Sequence, residues 1–465
     1  MMNNSDTICA PATSVGTGAI SVVRISGSGA TDILDRVVRF RNGTAAAASG
    51  YSVKYGSIPD LDEVLVLLFR APHSYTGEDA AEISCHASPF IVSGLLDRLT
   101  EAGCRLAEPG EFTRRAFING KMDLAQAEAV ADVIASSSSA QHRVAMNQLR
   151  GGYSAELRGL RKQLLELTTL LELELDFSEE DVEFADRSRL RALLDAATAH
   201  CRELADSFRT GNAIRSGVPV AIVGAPNSGK STLLNALLRD ERAIVSDVPG
   251  TTRDTVEETC VIDGVLFRFI DTAGIRDASD EVERLGIERS FRALSQAQIV
   301  LGVVDASGPE EAIRDAIRAV AEKVDSQHQE LLILLNKCDF SGVNKNVNTL
   351  NSFVLSISNQ LNNENILEIS AKTGSGLEKL RDALVSCSGI TAATGTLVTN
   401  ARHAAALRAA ATSLAAVSDG LDRAVPSDLL AEDLRAALAS LGTITGEITT
   451  DEVLGEIFSR FCIGK

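Results

Sequence analysis

The sequence has no tryptophan, and only 4 tyrosines and 15 phenylalanines in 465 residues. Extended base-stacking platforms for single-stranded nucleic acid are therefore not expected. There is no run of about 18 uncharged apolar residues, so no transmembrane helix is expected. Met1–Asp6 is polar and lacks the basic-then-apolar layout of a signal peptide. Basic charge is in deficit, with 45 Lys and Arg against 63 Asp and Glu, a formal net charge of -18. Binding phosphate over a wide surface needs Lys and Arg, so this balance argues against a nucleic-acid-coating face but leaves room for a local basic patch or a partner that supplies one. The 8 cysteines lack the paired spacing of a zinc site. With no export signal, they read as reduced thiols in a cytoplasmic protein with no membrane partner.

Against these absences stands a composition of 45% hydrophobic and 23% charged residues, which fits a globular chain of roughly three domains. Four segments differ in pattern. Residues 1–118 mix short apolar runs with Gly and Pro turns, which predicts a small α+β unit. Its strands are expected at Ser21–Ile25 and Val64–Phe69, its helix at Phe90–Ala102, and an exposed loop at Thr44–Gly50. Residues 119–212 turn helical, with apolar spacings of three and four over Leu124–Ser136 and Leu160–Leu175. From Glu166 to Asp186 there are nine acidic residues and no Lys or Arg, read either as an interaction surface or as a solvated helix end. Residues 217–388 alternate strand and helix patterns, which implies a mostly parallel sheet covered on both faces. Residues 389–465 return to helix, as in Ala401–Ser418 and Ser427–Leu441. Neither helical flank is large enough for a full core. The fold class expected is therefore α/β plus all-α plus α+β, with one helical domain made from two chain segments and a P-loop domain inserted into it.

The chemistry concentrates in residues 217–388. The apolar strand Val218–Val223 runs into Gly224-Ala-Pro-Asn-Ser-Gly229-Lys230-Ser231 and then a helix over Thr232–Leu238. The glycines let main-chain amides face phosphate oxygens, and the helix N-terminus adds partial positive charge. Asn227, Ser228, Gly229, Lys230, Ser231 and Thr232 are the expected phosphate contacts. Lys230 is the catalytic cation on the β- and γ-phosphates, and Ser231 is a Mg²⁺ ligand. The strand Val265–Ile270 ends in Asp271-Thr272-Ala273-Gly274, where Asp271 suits the Mg²⁺ shell and the Gly274 amide suits the γ-phosphate. Leu331–Leu335 ends in Asn336-Lys337-Cys338-Asp339. A carboxylate at Asp339 can accept from both guanine N1–H and the 2-amino group, a donor pair that adenine lacks. Ser370-Ala371-Lys372, after Ile366–Ile369, completes the base pocket. Four motifs at strand C-terminal ends are where an open α/β sheet holds its ligand, so GTP binding and hydrolysis are expected. Ile275 stands where Ras-like proteins have a water-positioning Gln, so another group must orient the water. Thr252, in Gly250-Thr251-Thr252-Arg253-Asp254, is the natural second Mg²⁺ ligand.

Gly224–Thr232, Gly250–Asp254, Asp271–Arg276, Asn336–Asp339 and the terminal Phe461-Cys462-Ile463-Gly464-Lys465 together resemble the MnmE (TrmE) family, GTPases that modify tRNA wobble uridine at C5. The resemblance covers nearly the whole chain and implies a Ras-like G domain of the TrmE–Era–EngA kind. It also implies a K⁺ ion held by Asn227, Ser246, Val248 and Thr251, with Asp247, Pro249 and Gly250 in the same nucleotide-contacting switch. Glu283 would orient the water as G domains associate. The resemblance further implies a homodimer formed by the N-terminal domain. That domain would bind a tetrahydrofolate derivative, 5-formyl- or 5,10-methylene-tetrahydrofolate, through Arg24, Glu82, Lys121 and Lys465. The flavin-containing partner MnmG would join a heterotetramer or larger complex, with tRNA bound directly or through that partner. The modification so implied is a 5-carboxymethylaminomethyl or aminomethyl group. Cys462 is either a thiol poised near the folate or a small packing residue. The Asn-rich stretch Ser341–Glu364 departs from the family pattern as a surface insertion. The reading from another class is a regulatory GTPase in ribosome assembly or signalling, which needs neither a folate site nor the Cys-x-Gly-Lys tail.

Overall fold

The computed structural model describes residues 6–14, 16–176, 187–240, 257–270, 294–325, 328–339, 365–390, 395–423, 425–459 and 461–464. The contacts divide the chain into two units. One contains residues 1–131, 148–169 and 434–465, and the other contains residues 132–147 and 170–433.

In the first unit a seven-stranded sheet is built from β1 (Ile8–Pro11), β2 (Ile20–Ser26), β3 (Arg39–Phe40), β4 (Ser52–Ile58), β5 (Asp62–Phe69), β6 (Ala80–His86) and β7 (Arg105–Leu106). Its order is β3-β4-β5-β6-β2-β1-β7, antiparallel except for the parallel pair β1 and β7. Strand side chains alternate between faces. On β5, Val64, Val66 and Leu68 are buried, and they share a core with Val23, Ile25, Ile83 and the helices α1 (Ala30–Val37) and α2 (Pro89–Glu101). The opposite face carries an apolar row in which Tyr55 pairs with Leu65 and Val53 with Leu67, and Val53, Tyr55 and Leu65 are exposed. On that same face Arg24 of β2 stands opposite Glu82 of β6. The loop Thr44–Gly50 is not wholly exposed, because Ala45 is buried and its amide donates to Asp35.

Helices α3 (Glu111–Ile118), α4 (Leu124–Ala135), α5 (Ser139–Leu149) and α6 (Gly152–Asp176) follow. The last begins a full two turns earlier than its apolar spacing indicates. The first unit is completed late in the chain, where Phe458 and Phe461 pack with Leu124, Ala127 and Val130 of α4.

The second unit holds α7 (Arg187–Asp206) and α8 (Phe208–Ser216), then a six-stranded sheet. Its strands are β8 (Val218–Val223), β9 (Glu258–Ile262), β10 (Val265–Ile270), β11 (Ile299–Asp305), β12 (Glu330–Asn336) and β13 (Ile366–Glu368), in the order β13-β12-β11-β8-β10-β9. All neighbours are parallel except β9 with β10. Such strands are buried on both faces and read as continuous apolar runs, as β11 and β12 do. One face packs on α9 (Lys230–Asp240) and α11 (Leu377–Ser388), the other on α10 (Glu310–Ala321). Past the sheet come α12 (Ala401–Asp422), which packs along α7, and then α13 (Ser427–Thr445) and α14 (Asp451–Ser459). Among the described residues no helix is long and apolar enough to cross a membrane.

Candidate nucleotide site and its family

The strand–loop–helix expected at residues 218–238 is β8, the loop Gly224–Gly229 and α9. Two glycines fix the loop. Gly224 has φ +156°, and a Cβ there would lie 2.2 Å from the Val303 carbonyl oxygen on β11. Gly229 has φ +101°, and a Cβ there would lie 2.1 Å from Asn336 Nδ2. Only glycine allows both this conformation and this approach. Asn227 adopts φ +60° and is exposed, while Ser228 is buried with its hydroxyl unpaired. Lys230 Nζ donates to the Gly224 and Ala225 carbonyls, each at 2.9 Å, and so lies over the loop. Burial pushes the Lys230 ammonium below its ordinary value. An anion in the loop would restore it, so these residues fit a phosphate. Ser231 and Thr232 open α9, half-buried and exposed respectively.

Asn336 ends β12 and is buried. Its Nδ2 donates to the Ser228 carbonyl at 2.8 Å and its Oδ1 accepts from the Ala371 amide at 3.0 Å. One side chain thus joins the phosphate loop, the β12 end and the β13 end. The Ser370 hydroxyl donates to Asp339 Oδ1 at 2.7 Å and holds that exposed carboxyl below its ordinary value. Lys337 has φ +68° and its ammonium meets Asp305 at 2.5 Å. Ala371 is buried and Lys372 exposed. Three of the four strand-end motifs therefore converge on one edge of the sheet. The fourth, Asp271–Gly274, lies outside the described residues. So do Ser246, Asp247, Val248, Pro249, Gly250, Thr251, Thr252, Ile275, Glu283, Lys465 and the Asn-rich stretch 341–364.

Asp305, at the end of β11, was not singled out from the sequence. Burial pushes its carboxyl up, but Lys337 and the Ser307 hydroxyl and amide outweigh this and hold it below the ordinary range. The signal that could have found it is an acidic residue closing the apolar run Ile299–Val304, as Asp271 closes its own.

In the first unit the Arg24 guanidinium donates to Glu82 Oε1 from Nε at 3.1 Å and Nη2 at 2.7 Å, and from Nη1 to the Gly464 carbonyl at 3.1 Å. It lies over the rings of Tyr75 and Phe112, 5.4 and 5.6 Å from their centroids. Of the four residues expected there, Arg24 and Glu82 are thus paired, and the Gly464 carbonyl closes on Arg24. Tyr75 comes from the loop before β6 and Phe112 from the first turn of α3, and no sequence spacing signals them. Gly464 has φ +94°, with a Cβ 2.1 Å from the Pro11 carbonyl, so the tail lies directly on the end of β1. Cys462 is exposed, and its carbonyl accepts from the Gly110 amide at 3.4 Å. Lys121, exposed, donates to the Pro72 carbonyl at 2.9 Å.

The mostly parallel sheet and its glycine-locked loop define an α/β P-loop protein. A family model described as "GTP-binding protein TrmE N-terminus" matches residues 7–121, and one described as "MnmE helical domain" matches residues 124–462. Proteins named "tRNA modification GTPase MnmE" from Parabacteroides distasonis and Bacteroides fragilis are 47% and 48% identical, each over 99% of this chain and 100% of their own. One of that name from Christiangramia forsetii is 46% identical over 100% of both. The chain belongs to the MnmE (TrmE) family.

Proposed function

We propose that this protein is a GTP hydrolase acting in tRNA modification. What carries the reading is the Asn336 brace, which locks a phosphate loop against Asp339 and the Ser370–Lys372 loop on one sheet edge. The anionic end of a nucleotide belongs at Gly224–Thr232 and a guanine base at Asp339. Lys230 would exchange its loop carbonyls for the β- and γ-phosphates. Ser231 and Thr252 would hold Mg²⁺, with Asp271 in its shell. Bound there, the ion supplies charge stabilisation to the phosphates. Asn227, Ser246, Val248 and Thr251 would hold K⁺, which neutralises charge developing on the β–γ bridge. Asp247, Pro249 and Gly250 complete that switch, and Thr272, Ala273 and Gly274 the γ-phosphate contact. With Ile275 unable to orient water, Glu283 takes that role when two G domains associate.

The second half of the proposal is a one-carbon site in the N-terminal domain. Glu82 and Arg24, with the Arg24 guanidinium resting on the Tyr75 and Phe112 rings, offer a carboxylate and a guanidinium to a tetrahydrofolate such as the 5-formyl or 5,10-methylene form. Lys121 and Lys465 would complete the ligand set, and the Cys462 thiol would stand near it. The domain arrangement is an N-terminal domain over 1–118, a helical domain from 119–212 and 389–465, and the G domain of 217–388 inserted between them. The exposed row of Val53, Tyr55 and Leu65 suits a homodimer. With MnmG as flavin-containing partner, the cytoplasmic complex would install the 5-carboxymethylaminomethyl or aminomethyl group on wobble uridine.

Two measurements test this. GTP hydrolysis by the full chain should be several-fold faster in K⁺ than in Na⁺, and equal rates would remove the potassium assignment. Titration with 5-formyl-tetrahydrofolate should saturate, and Arg24→Glu should abolish binding. No binding by the unaltered chain would leave a regulatory GTPase without modification chemistry.

A further inference from the structure

We propose that Asp305 is a positioning residue for nucleotide binding: it anchors the Lys337 ammonium so that the lysine stem stands as a fixed wall of the base pocket beside Asp339. The inference rests on the guanine-nucleotide reading above and adds a residue that the strand-end motifs do not include.

Asp305 and Asn336 are direct partners on the neighbouring parallel strands β11 and β12, so Asp305 and Lys337 leave the sheet side by side. The Ala306 amide donates to the Asn336 carbonyl at 2.9 Å, which continues the ladder one step past the strand ends. Lys337 then turns into the left-handed region at φ +68°. A non-glycine residue there is uncommon and persists when its surroundings hold it. Those surroundings include a carboxylate with both oxygens engaged. Oδ2 takes the Lys337 ammonium at 2.5 Å, while Oδ1 accepts from the Ser307 amide at 3.0 Å and its hydroxyl at 2.6 Å. The anchor is therefore itself anchored.

An unpaired lysine populates many rotamers, and ordering it on ligand binding weakens affinity. Here the ordering is complete beforehand. The two residues after Lys337 lead to Asp339, which is tied to the Ser370 hydroxyl. A planar base at Asp339 meets a lysine stem whose far end is already fixed, and that stem offers four methylenes to a ring face. Asp305 need touch no nucleotide atom. It acts through Lys337, and its effect should be shared by all purines rather than reserved for guanine.

The test is titration of the full chain with N-methylanthraniloyl-GDP and its inosine counterpart. Asp305→Asn keeps an acceptor for Ser307 but loses the charge. It should weaken both nucleotides about three- to tenfold, the range for a half-exposed ion pair acting through preorganisation. In a Lys337→Ala background the same change should add less than about 1.5-fold. Asp305→Glu should recover part of the loss, which a merely structural role would not predict. The proposal is overturned if Asp305→Asn binds as the unaltered chain does. It is equally overturned if the loss persists in full without Lys337, which would make Asp305 a folding residue. Should Asp305→Asn fail to fold, the Asp305→Glu and Lys337→Ala pair gives the same coupling. Equal affinity of the unaltered chain for the adenine analogue would instead remove the guanine reading itself, and the proposal with it.

Discussion

The Asn336 side-chain amide donates to the Ser228 main-chain carbonyl at 2.8 Å across 108 positions of sequence. That contact is why Gly229 must be glycine, since a Cβ there would sit 2.1 Å from the same nitrogen. With its oxygen on the Ala371 amide, Asn336 sets the spacing between the phosphate end of the site and the base end.

Asn336→Ala should leave the buried Ser228 carbonyl and Ala371 amide unpaired, at about 1–3 kcal/mol each. The nucleotide-free chain should lose several degrees in its thermal transition, and GDP binding should fall below detection. Gly229→Ala should do the same by steric conflict and φ strain. Calorimetry of the ligand-free protein decides, and an unchanged transition for Asn336→Ala would show that the brace is dispensable.

Lys230→Ala removes the cation over the loop. Phosphate release from GTP should fall by about 100-fold or more, the scale on which one preorganised charge contact acts. Because burial holds the Lys230 ammonium below its ordinary value, the nucleotide-free site loses its charge earlier than a free lysine on raising the pH. Bound phosphate raises that value again, so GDP affinity should decline with alkaline pH. A Kd independent of pH from neutrality into the lysine range would contradict this.

The N-terminal unit contains a buried ion cluster. Arg115, only 1% exposed, meets Glu111 at 3.0 Å, Asp6 at 2.7 Å and Glu78 at 3.3 Å, and Glu111 also meets Arg105 at 2.7 Å. Burial pushes the Glu111 carboxyl up, but Arg105, the Glu108 amide and Arg115 outweigh it and leave it below its ordinary 4.5. A carboxylate held low in the folded state stabilises fully above its unfolded value, and that stability vanishes as pH falls through the folded one. Glu111→Ala removes one carboxylate from buried Arg115, which keeps Asp6 and Glu78, and should cost about 1.5–3 kcal/mol, the scale of hydrogen bonds to a charged group. Acid unfolding followed between pH 5 and 2 should be steeper in the unaltered chain than in Glu111→Gln. Superimposable acid limbs would rule out this source of the pH dependence.

Leu65→Glu places a charge in the exposed apolar row opposite Tyr55. Because Leu65 is half-exposed, the fold should keep its thermal transition to within about 0.5 kcal/mol. Sedimentation should shift from dimer to monomer if that face joins two copies. A dimer of undiminished stability would place the interface elsewhere.

Gly464→Ala should lift the tail off Pro11 and take the Gly464 carbonyl from Arg24. Binding of 5-formyl-tetrahydrofolate is expected to weaken at least tenfold with GTP hydrolysis unchanged. Coupled loss of both would argue that the tail is structural for the whole chain.

Elements with a strong local signal were legible in the sequence. β8, β10 and β12 are apolar runs ended by Gly, Asp or Asn, and periodicity marks α4 and α12 because burial on one helix face imposes it. Helix ends were less legible. The first two turns of α6 mix Gly152, Tyr153 and Ser154 with charges, and α7, α8 and α14 were not singled out, since their apolar positions take meaning only from the partners they meet. The order Gly224–Ser231, Asn336–Asp339 and Ser370–Lys372 was set by the sequence alone, because main-chain amides, a buried amide and a carboxylate are the groups that phosphate and guanine require.

What only the tertiary structure decided is who holds those groups in place. Asp305 and Lys337 are 32 residues apart in sequence, yet adjacent because parallel strands end together. Arg24 and Gly464 are 440 residues apart, and the tail returns because only a glycine can lie on Pro11. Sequence spacing encodes contacts within an element and within a short loop. Contacts between strand ends and chain termini follow from sheet order, which a linear pattern does not contain.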